Sequence, residues 1–192
     1  MKTALLVIAI ALLASLPAQG QRTYPRVEIA GGYSYLVVDR SHRNMPKGWN
    51  SGLTGNFHRN FGLEASFSGH YGHFPVPPID DSYYLFQAGP RVAFRLARLT
   101  PWAHALFGVS QDRITGAGLI KTNFAGTFGG GLDVAVHKRL ALRMIQADYV
   151  RMRVNDLSLG GTGTGAFGLI FVPIPANNLS LSFGVVLKLG GE

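Results

Sequence analysis

Apolar and polar residues alternate strictly along several stretches of this chain. In segment 60–71, one face carries Phe61, Leu63, Ala65, Phe67, Gly69 and Tyr71, and the other carries Gly62, Glu64, Ser66, Ser68 and His70. Segment 179–189 repeats this pattern, with Leu, Phe and Val on one face and mostly Ser, Gly and Lys on the other. A sustained period of two predicts β-strands, because a helix would repeat every three to four residues.

Alternation also predicts six further strands, of varying clarity, over segments 27–38, 48–57, 83–96, 101–110, 123–136 and 140–153. In segment 140–153 the alternation of apolar and polar residues changes phase. Arg143 occupies one phase, whereas Gln146 and Asp148 occupy the other. If all three side chains point inward, a β-bulge lies near Met144 or Ile145. Alternatively, one polar group faces outward near a membrane interface.

The predicted connections alternate in length. Segments 58–59, 97–98 and 137–139 are short, whereas segments 39–47, 72–82, 111–122 and 155–177 are long. An even number of strands with short turns on one side and long loops on the other is typical of bacterial outer-membrane barrels. The sequence therefore predicts an all-β fold, an eight-stranded antiparallel up-and-down transmembrane β-barrel.

A soluble barrel of the lipocalin type is the alternative. The residues on the polar phase of the strands distinguish it from a transmembrane barrel. The charged residues of this phase are too numerous to line a dry ligand cavity, although they could form the solvent face of a soluble barrel. Because this phase is also rich in Gly, Ser, Ala and Thr, it suits a narrow lumen better. Aromatic residues near strand ends on the outward phase fit membrane interfaces: Trp49, Phe57, Phe61, Tyr71, Tyr84 and Phe94.

The N-terminus predicts export. Lys2 precedes an apolar run over 4–16, and small residues at Ala18 and Gly20 precede Gln21. This pattern predicts a secretory signal peptide over 1–20, cleaved before Gln21. The apolar run is too short to cross a bilayer as a helix. Residues 21–192 then form one outer-membrane β-barrel domain.

Composition excludes several kinds of chemistry. The chain of 192 residues has no Cys, which excludes a disulfide scaffold, thiolate zinc sites and thiol catalysis. Its net charge is +8. Nucleic-acid binding has neither a motif nor the right compartment, so anionic lipid is the expected neighbour.

Several strings resemble the outer-membrane β-barrel domain family across most of the predicted mature chain. They are Gly48-Trp49-Asn50, Thr54-Gly55-Asn56-Phe57, Asn60-Phe61-Gly62-Leu63, Phe67-Ser68-Gly69-His70-Tyr71-Gly72, Pro101-Trp102-Ala103-His104-Ala105-Leu106-Phe107-Gly108, Gly129-Gly130-Gly131-Leu132-Asp133 and Arg143-Met144-Ile145-Gln146-Ala147-Asp148-Tyr149-Val150. The resemblance implies an eight-stranded barrel similar to the OmpA transmembrane domain, and it implies no activity. Such barrels often end in an aromatic residue that the assembly machinery reads, whereas this chain ends Leu189-Gly190-Gly191-Glu192.

The inward phase carries charges of both signs, and these are the candidate site. We predict a polar lumen network of Glu28, Glu64, Arg91, Arg95, Asp133, Arg143, Asp148 and Lys188. An eight-stranded barrel has an interior about wide enough for side chains alone, and buried charges must be paired. We therefore expect a plug of salt bridges. A narrow path for ions or small solutes is the alternative.

Three motifs suggest other chemistry, and each fails a test of context. His70, His73, Asp80 and Asp81 could bind zinc, but their spacing is irregular. Ser41-His42 beside Asp39, and Ser68 near His70, are sequence neighbours without a catalytic signature, so a lipid-modifying enzyme is the least favoured reading. Segment 163–168 matches a dinucleotide-binding motif literally but lacks a βαβ unit, and we interpret it as a loop. We expect no catalysis, no cofactor and no metal.

The predicted loops suggest surroundings and partners. Arg40, Arg43 and Lys47 form a basic cluster in the first long loop, facing lipopolysaccharide. The expected partners are outer-membrane lipids, lipopolysaccharide, the barrel-assembly machinery during biogenesis and an unidentified surface ligand. The apolar segment from Leu169 to Pro175 could extend a hairpin, dip onto lipid or contact a partner. We expect a structural, adhesion or other interaction role.

Overall fold

The computed structural model describes residues 24–38, 43–75, 78–114, 119–161 and 167–191, so the predicted signal peptide lies outside the described residues. The described chain forms strands β1 Val27–Val38, β2 Arg43–Met45, β3 Lys47–Asn56, β4 Phe61–Pro75, β5 Pro78–Ala93, β6 Leu99–Ile114, β7 Leu119–His137, β8 Leu140–Gly161 and β9 Phe167–Leu189. Among these residues, no helix is long and apolar enough to cross a membrane.

Every strand pairs antiparallel with its neighbours, and β9 pairs with β1 to close the sheet. Strands β2 and β3 both pair with β1 and are separated by Pro46, which has no N–H to continue the ladder. Together they supply one wall of the barrel. The predicted eight-stranded antiparallel up-and-down barrel is therefore confirmed.

The strands extend much further than alternation predicts. Residues 72–75 and 78–82, 111–114 and 119–122, and most of segment 155–177 lie in strands, so assigning them to long loops was wrong. Strands β8 and β9 contain 22 and 23 residues, about twice the 9–11 that cross a bilayer. Backbone pairing continues beyond the membrane, where nothing enforces alternation between lipid and lumen.

Two smaller interpretations change with these extensions. The segment from Leu169 to Pro175 belongs to β9 and pairs with β8, so it extends a hairpin. Phe167 and Gly168 of the glycine-rich motif already belong to β9, and its other residues lie outside the described residues.

The predicted bulge in β8 is confirmed. Leu132 of β7 pairs with Ile145, whereas Asp133 pairs with Arg143, so β8 carries one extra residue. Met144 and Ile145 are consequently both exposed on the outer face, and Arg143 and Gln146 are both buried. The bulge thus places polar side chains from opposite phases inside the barrel.

The barrel has two distinct ends. Turns 57–60, 94–98 and 138–139 mark the short-turn end, and the tips of the extended hairpins mark the hairpin end. Near the hairpin end the interior holds an apolar layer, and Asp112 and Asn178 are also buried at this level. The apolar layer is formed by Leu36, Met45, Tyr83, Leu85, Ala125, Val150, Met152 and Ala176. The predicted polar lumen did not include this apolar layer.

Closure between β1 and β9 requires glycine at one point. Gly32 and Gly184 face each other across the pair, and a Cβ atom at Gly184 would lie 2.7 Å from the Gly32 Cα and would meet the Gly31 carbonyl oxygen. We expect Gly184→Val to lower the free energy of unfolding by about 1–3 kcal/mol. Urea titration of the barrel refolded in phospholipid vesicles measures this loss.

The matched control is Gly55→Val, because a Cβ atom there would have no neighbour within 4 Å. We expect that change to cost no more than about 0.5 kcal/mol. Equal losses for the two variants would contradict the close approach between β1 and β9.

Candidate functional site

Asp133 on β7 forms the centre of an ionic cluster inside the barrel. The Arg143 Nε donates to Asp133 Oδ1 over 2.9 Å and Arg143 Nη2 donates to Oδ2 over 3.2 Å, so this pair is bidentate. Arg91 Nη2 donates to Asp133 Oδ2 over 3.2 Å. All three residues are buried. One carboxylate thus holds two guanidinium groups from different strands.

Trp102 on β6 contacts both of these arginines. The Cζ atoms of Arg91 and Arg143 each lie 4.3 Å from the centroid of the Trp102 ring. Cations at this distance are attracted by the electron-rich face of an indole. The ring therefore stabilises both guanidinium groups.

His104 joins two further carboxylates. Its Nδ1 lies 3.2 Å from Glu64 Oε2, and its Nε2 lies 3.1 Å from Asp148 Oδ1. Gln146 connects the two halves, since its Oε1 accepts from Arg143 and its Nε2 donates to Asp148. Hydrogen bonds to ionised carboxylates from both ring nitrogens require a doubly protonated imidazole.

Glu28 and Arg95 extend the cluster towards the short-turn end. Arg95 Nη1 donates to Glu28 Oε1 over 2.6 Å, and Arg91 Nη1 lies 3.5 Å from Glu28 Oε2. Arg91 Nη1 also lies 3.7 Å from Glu64 Oε2 and donates to Thr54. Every carboxylate of the cluster therefore contacts at least one cation.

The structure brings seven of the eight predicted lumen residues together: Glu28, Glu64, Arg91, Arg95, Asp133, Arg143 and Asp148. Lys188 is half-buried at the short-turn end and lines a separate pocket. Within the described part of the chain, Lys188 makes no ion pair with this cluster. The seven residues and His104 are called the ionic layer below.

Formal charge balances in the ionic layer. Its four carboxylates face three guanidinium groups and the imidazole of His104. With His104 doubly protonated, the net charge is zero. A neutral, paired layer is the arrangement that a low-dielectric interior tolerates.

Trp102 and His104 alternate with the apolar residues Ala103 and Ala105 in segment 101–110, so they fall on its inward phase, but the predicted network did not include them. Their positions two residues apart on β6 were the available signal. Strand stagger decides which residues of other strands these two side chains contact, and the alternation of apolar and polar residues does not reveal the stagger.

A serine-rich chamber lies between the ionic layer and the apolar layer. Ser34 Oγ lies 2.9 Å from His70 Nε2 and 3.0 Å from the Oγ atoms of both Ser180 and Ser182. The chamber has a volume of about 20 Å³, enough for one or two waters.

The other candidate motifs are described only in part. His73 and Asp80 pair across β4 and β5. His70 is buried and contacts Ser34 in place of Ser68, and its Nδ1 has no partner among the described residues. No group of three or more metal-ligating side chains occurs within the described part of the chain. Asp39, Ser41 and His42 lie outside the described residues.

The predicted basic cluster of the first loop is only partly described. Arg40 lies outside the described residues, Arg43 is in β2, and Lys47 is exposed at the start of β3. Assigning Arg43 and Lys47 to a loop was therefore wrong, because both belong to the strand that Pro46 interrupts.

The outer face of the barrel is apolar and aromatic. Exposed residues include Phe61, Phe86, Phe107, Phe128, Leu53 and Leu181. Near the hairpin end the rings cluster, with Phe67 stacked on Phe86 at 4.3 Å and Trp49 Nε1 donating to the Tyr71 hydroxyl over 3.2 Å. An apolar exterior around a charged interior inverts the polarity of a soluble protein. Fold and surface together define a small transmembrane β-barrel.

Comparison with known proteins supports this fold. Neisserial surface protein A, NspA, is 12% identical with a TM-score of 0.59, over 89% of this chain and 100% of that chain. OprG, an outer-membrane protein from Pseudomonas aeruginosa, is 10% identical with a TM-score of 0.56, over 89% of this chain and 99% of that chain. No protein-family model matches the chain, and no curated protein sequence is significantly similar to it. The fold expected from the resemblance to outer-membrane barrels is thus confirmed.

Proposed function

We propose that this protein is an integral bacterial outer-membrane barrel with a plugged lumen, exported by the predicted signal peptide, that displays its hairpins at the cell surface. Its role is structural or adhesive, without catalysis. The observation that supports the proposal is the presence of two side-chain layers inside the barrel, the ionic layer and the apolar layer. An eight-stranded barrel is about wide enough for side chains alone, so we expect no continuous water path through such layers.

The extended hairpins support the interaction role. Strands β8 and β9 continue as paired backbone over segments 153–161 and 167–175, well beyond the length that a bilayer needs. This hairpin presents a sheet edge and an apolar stretch of sequence outside the membrane. Lipopolysaccharide beside exposed Lys47 and an unidentified surface ligand are the proposed partners.

Planar-bilayer recording tests the plug. We expect the wild-type barrel to give no stable unitary current, because the side chains of two layers occupy its lumen. Arg143→Ala removes both bonds to Asp133. We expect this variant to lower the free energy of unfolding by about 3–5 kcal/mol.

A narrow channel is the second candidate, and the serine-rich chamber favours it because polar walls can hold water. Under that function the wild type conducts in discrete steps, and Arg143→Ala changes the unitary conductance more than the stability. Such a record would overturn the plug.

A further inference from the structure

A pocket opens at the short-turn end, away from the ionic layer's centre. Tyr24 and Pro25 fold across this end, where Asn56 Nδ2 donates to the Pro25 carbonyl oxygen over 2.9 Å. Gly190, with a φ of 69°, turns the chain after β9 so that Gly191 lies beside Tyr24. The terminal segments thus form one wall, and the pocket has a volume of about 210 Å³.

The pocket is lined by cations and by neutral groups. Arg95, Lys138 and Lys188 line it together with Thr100 and Tyr24. Within the described part of the chain, no carboxylate lines it. Glu28 is the carboxylate that pairs with Arg95, and it also contacts Arg91.

Arg95 supplies a second and independent observation. Its side chain is 10% exposed, with Nη1 bonded to Glu28 and Nε donating to the Arg59 carbonyl oxygen. Its Nη2 is buried and has no hydrogen-bond partner among the described residues. A buried guanidinium donor without an acceptor is costly, and an anion in the pocket would supply one.

We propose that this pocket binds a phosphate group. Phosphate offers several acceptor oxygens and at least one negative charge, which suits one fixed guanidinium donor beside two lysines. Its source is an anionic phospholipid headgroup of the adjoining leaflet or a soluble phosphate compound. This proposal holds whether or not the lumen conducts ions.

Two binding measurements distinguish these sources. Isothermal titration of the full barrel in neutral detergent with inorganic pyrophosphate tests the soluble source. Native mass spectrometry of the barrel from phosphatidylcholine nanodiscs containing phosphatidylglycerol tests the lipid source. Saturable pyrophosphate binding or selective retention of phosphatidylglycerol supports the site, and failure of both overturns it.

Matched charge variants test the location. Lys188→Gln removes a cation that lines the pocket, whereas Arg98→Gln removes an exposed cation from a turn at the same end. We expect Lys188→Gln to weaken the observed binding roughly tenfold and Arg98→Gln to change it less than about twofold. Lys138→Gln serves in place of Lys188→Gln if the latter fails the folding control, a mobility shift on boiling. Equal weakening by Arg98→Gln would show diffuse attraction to the basic rim and would overturn the pocket.

Discussion

Asp133→Asn is expected to lower the free energy of unfolding by about 3–5 kcal/mol, because it leaves two buried guanidinium groups without their shared counter-charge. Asp133 accepts bonds from both Arg91 and Arg143, whose guanidinium groups also contact the Trp102 ring. The asparagine keeps the shape of the side chain, so the loss reports charge and hydrogen bonding. Urea unfolding from phospholipid vesicles measures it.

A double-mutant cycle separates this pairing from a general loss of packing. Adding Arg143→Gln to Asp133→Asn removes one of the stranded cations, so the double variant should be more stable than the sum of the single losses predicts. Arg98→Gln, an exposed neutralisation, should cost no more than about 0.5 kcal/mol. If Asp133→Asn costs as little as Arg98→Gln, the ionic layer does not hold the barrel together.

Leu53→Arg is expected to lower the free energy of unfolding by about 2–4 kcal/mol in a bilayer. Leu53 is 50% exposed on the outer face of β3, midway between Trp49 and the turn that follows β3. Arginine at that depth must leave water for hydrocarbon. The comparison is made by chemical unfolding from vesicles of one phospholipid composition.

Phe57→Arg is the matched control, because Phe57 is also exposed but lies in the turn at the short-turn end. Near the interface an arginine should cost only about 0–1 kcal/mol. Similar small losses for both variants would indicate that the apolar face does not contact hydrocarbon, as in a soluble barrel.

The alternation of apolar and polar residues predicted most of the fold, because successive residues of a strand face lipid and lumen in turn. The same reasoning located the β8 bulge, since Arg143 and Gln146 could both face inward only with an extra residue between them. Strand segments beyond the membrane do not need this alternation. The lengths of the hairpins consequently could not be predicted.

The candidate site was predictable in composition and less so in geometry. Charged residues on the inward phase had to pair, but strand stagger decides that Asp133 meets Arg91 and that His104 bridges Glu64 and Asp148. The apolar layer was missed because Met45 lies in a segment predicted to be a loop, and Tyr83 stood at the start of a predicted strand. Their shared interior position arises only when the sheet closes.

The most direct test of the central claim, an integral outer-membrane barrel, is a detergent gel of the outer-membrane fraction, run with and without boiling. A closed barrel with continuous strand pairing from β1 to β9 should resist the detergent cold and migrate differently after boiling. We expect this shift, with the protein in the outer-membrane fraction. A band that does not shift and fractionates with soluble periplasmic proteins would contradict the account.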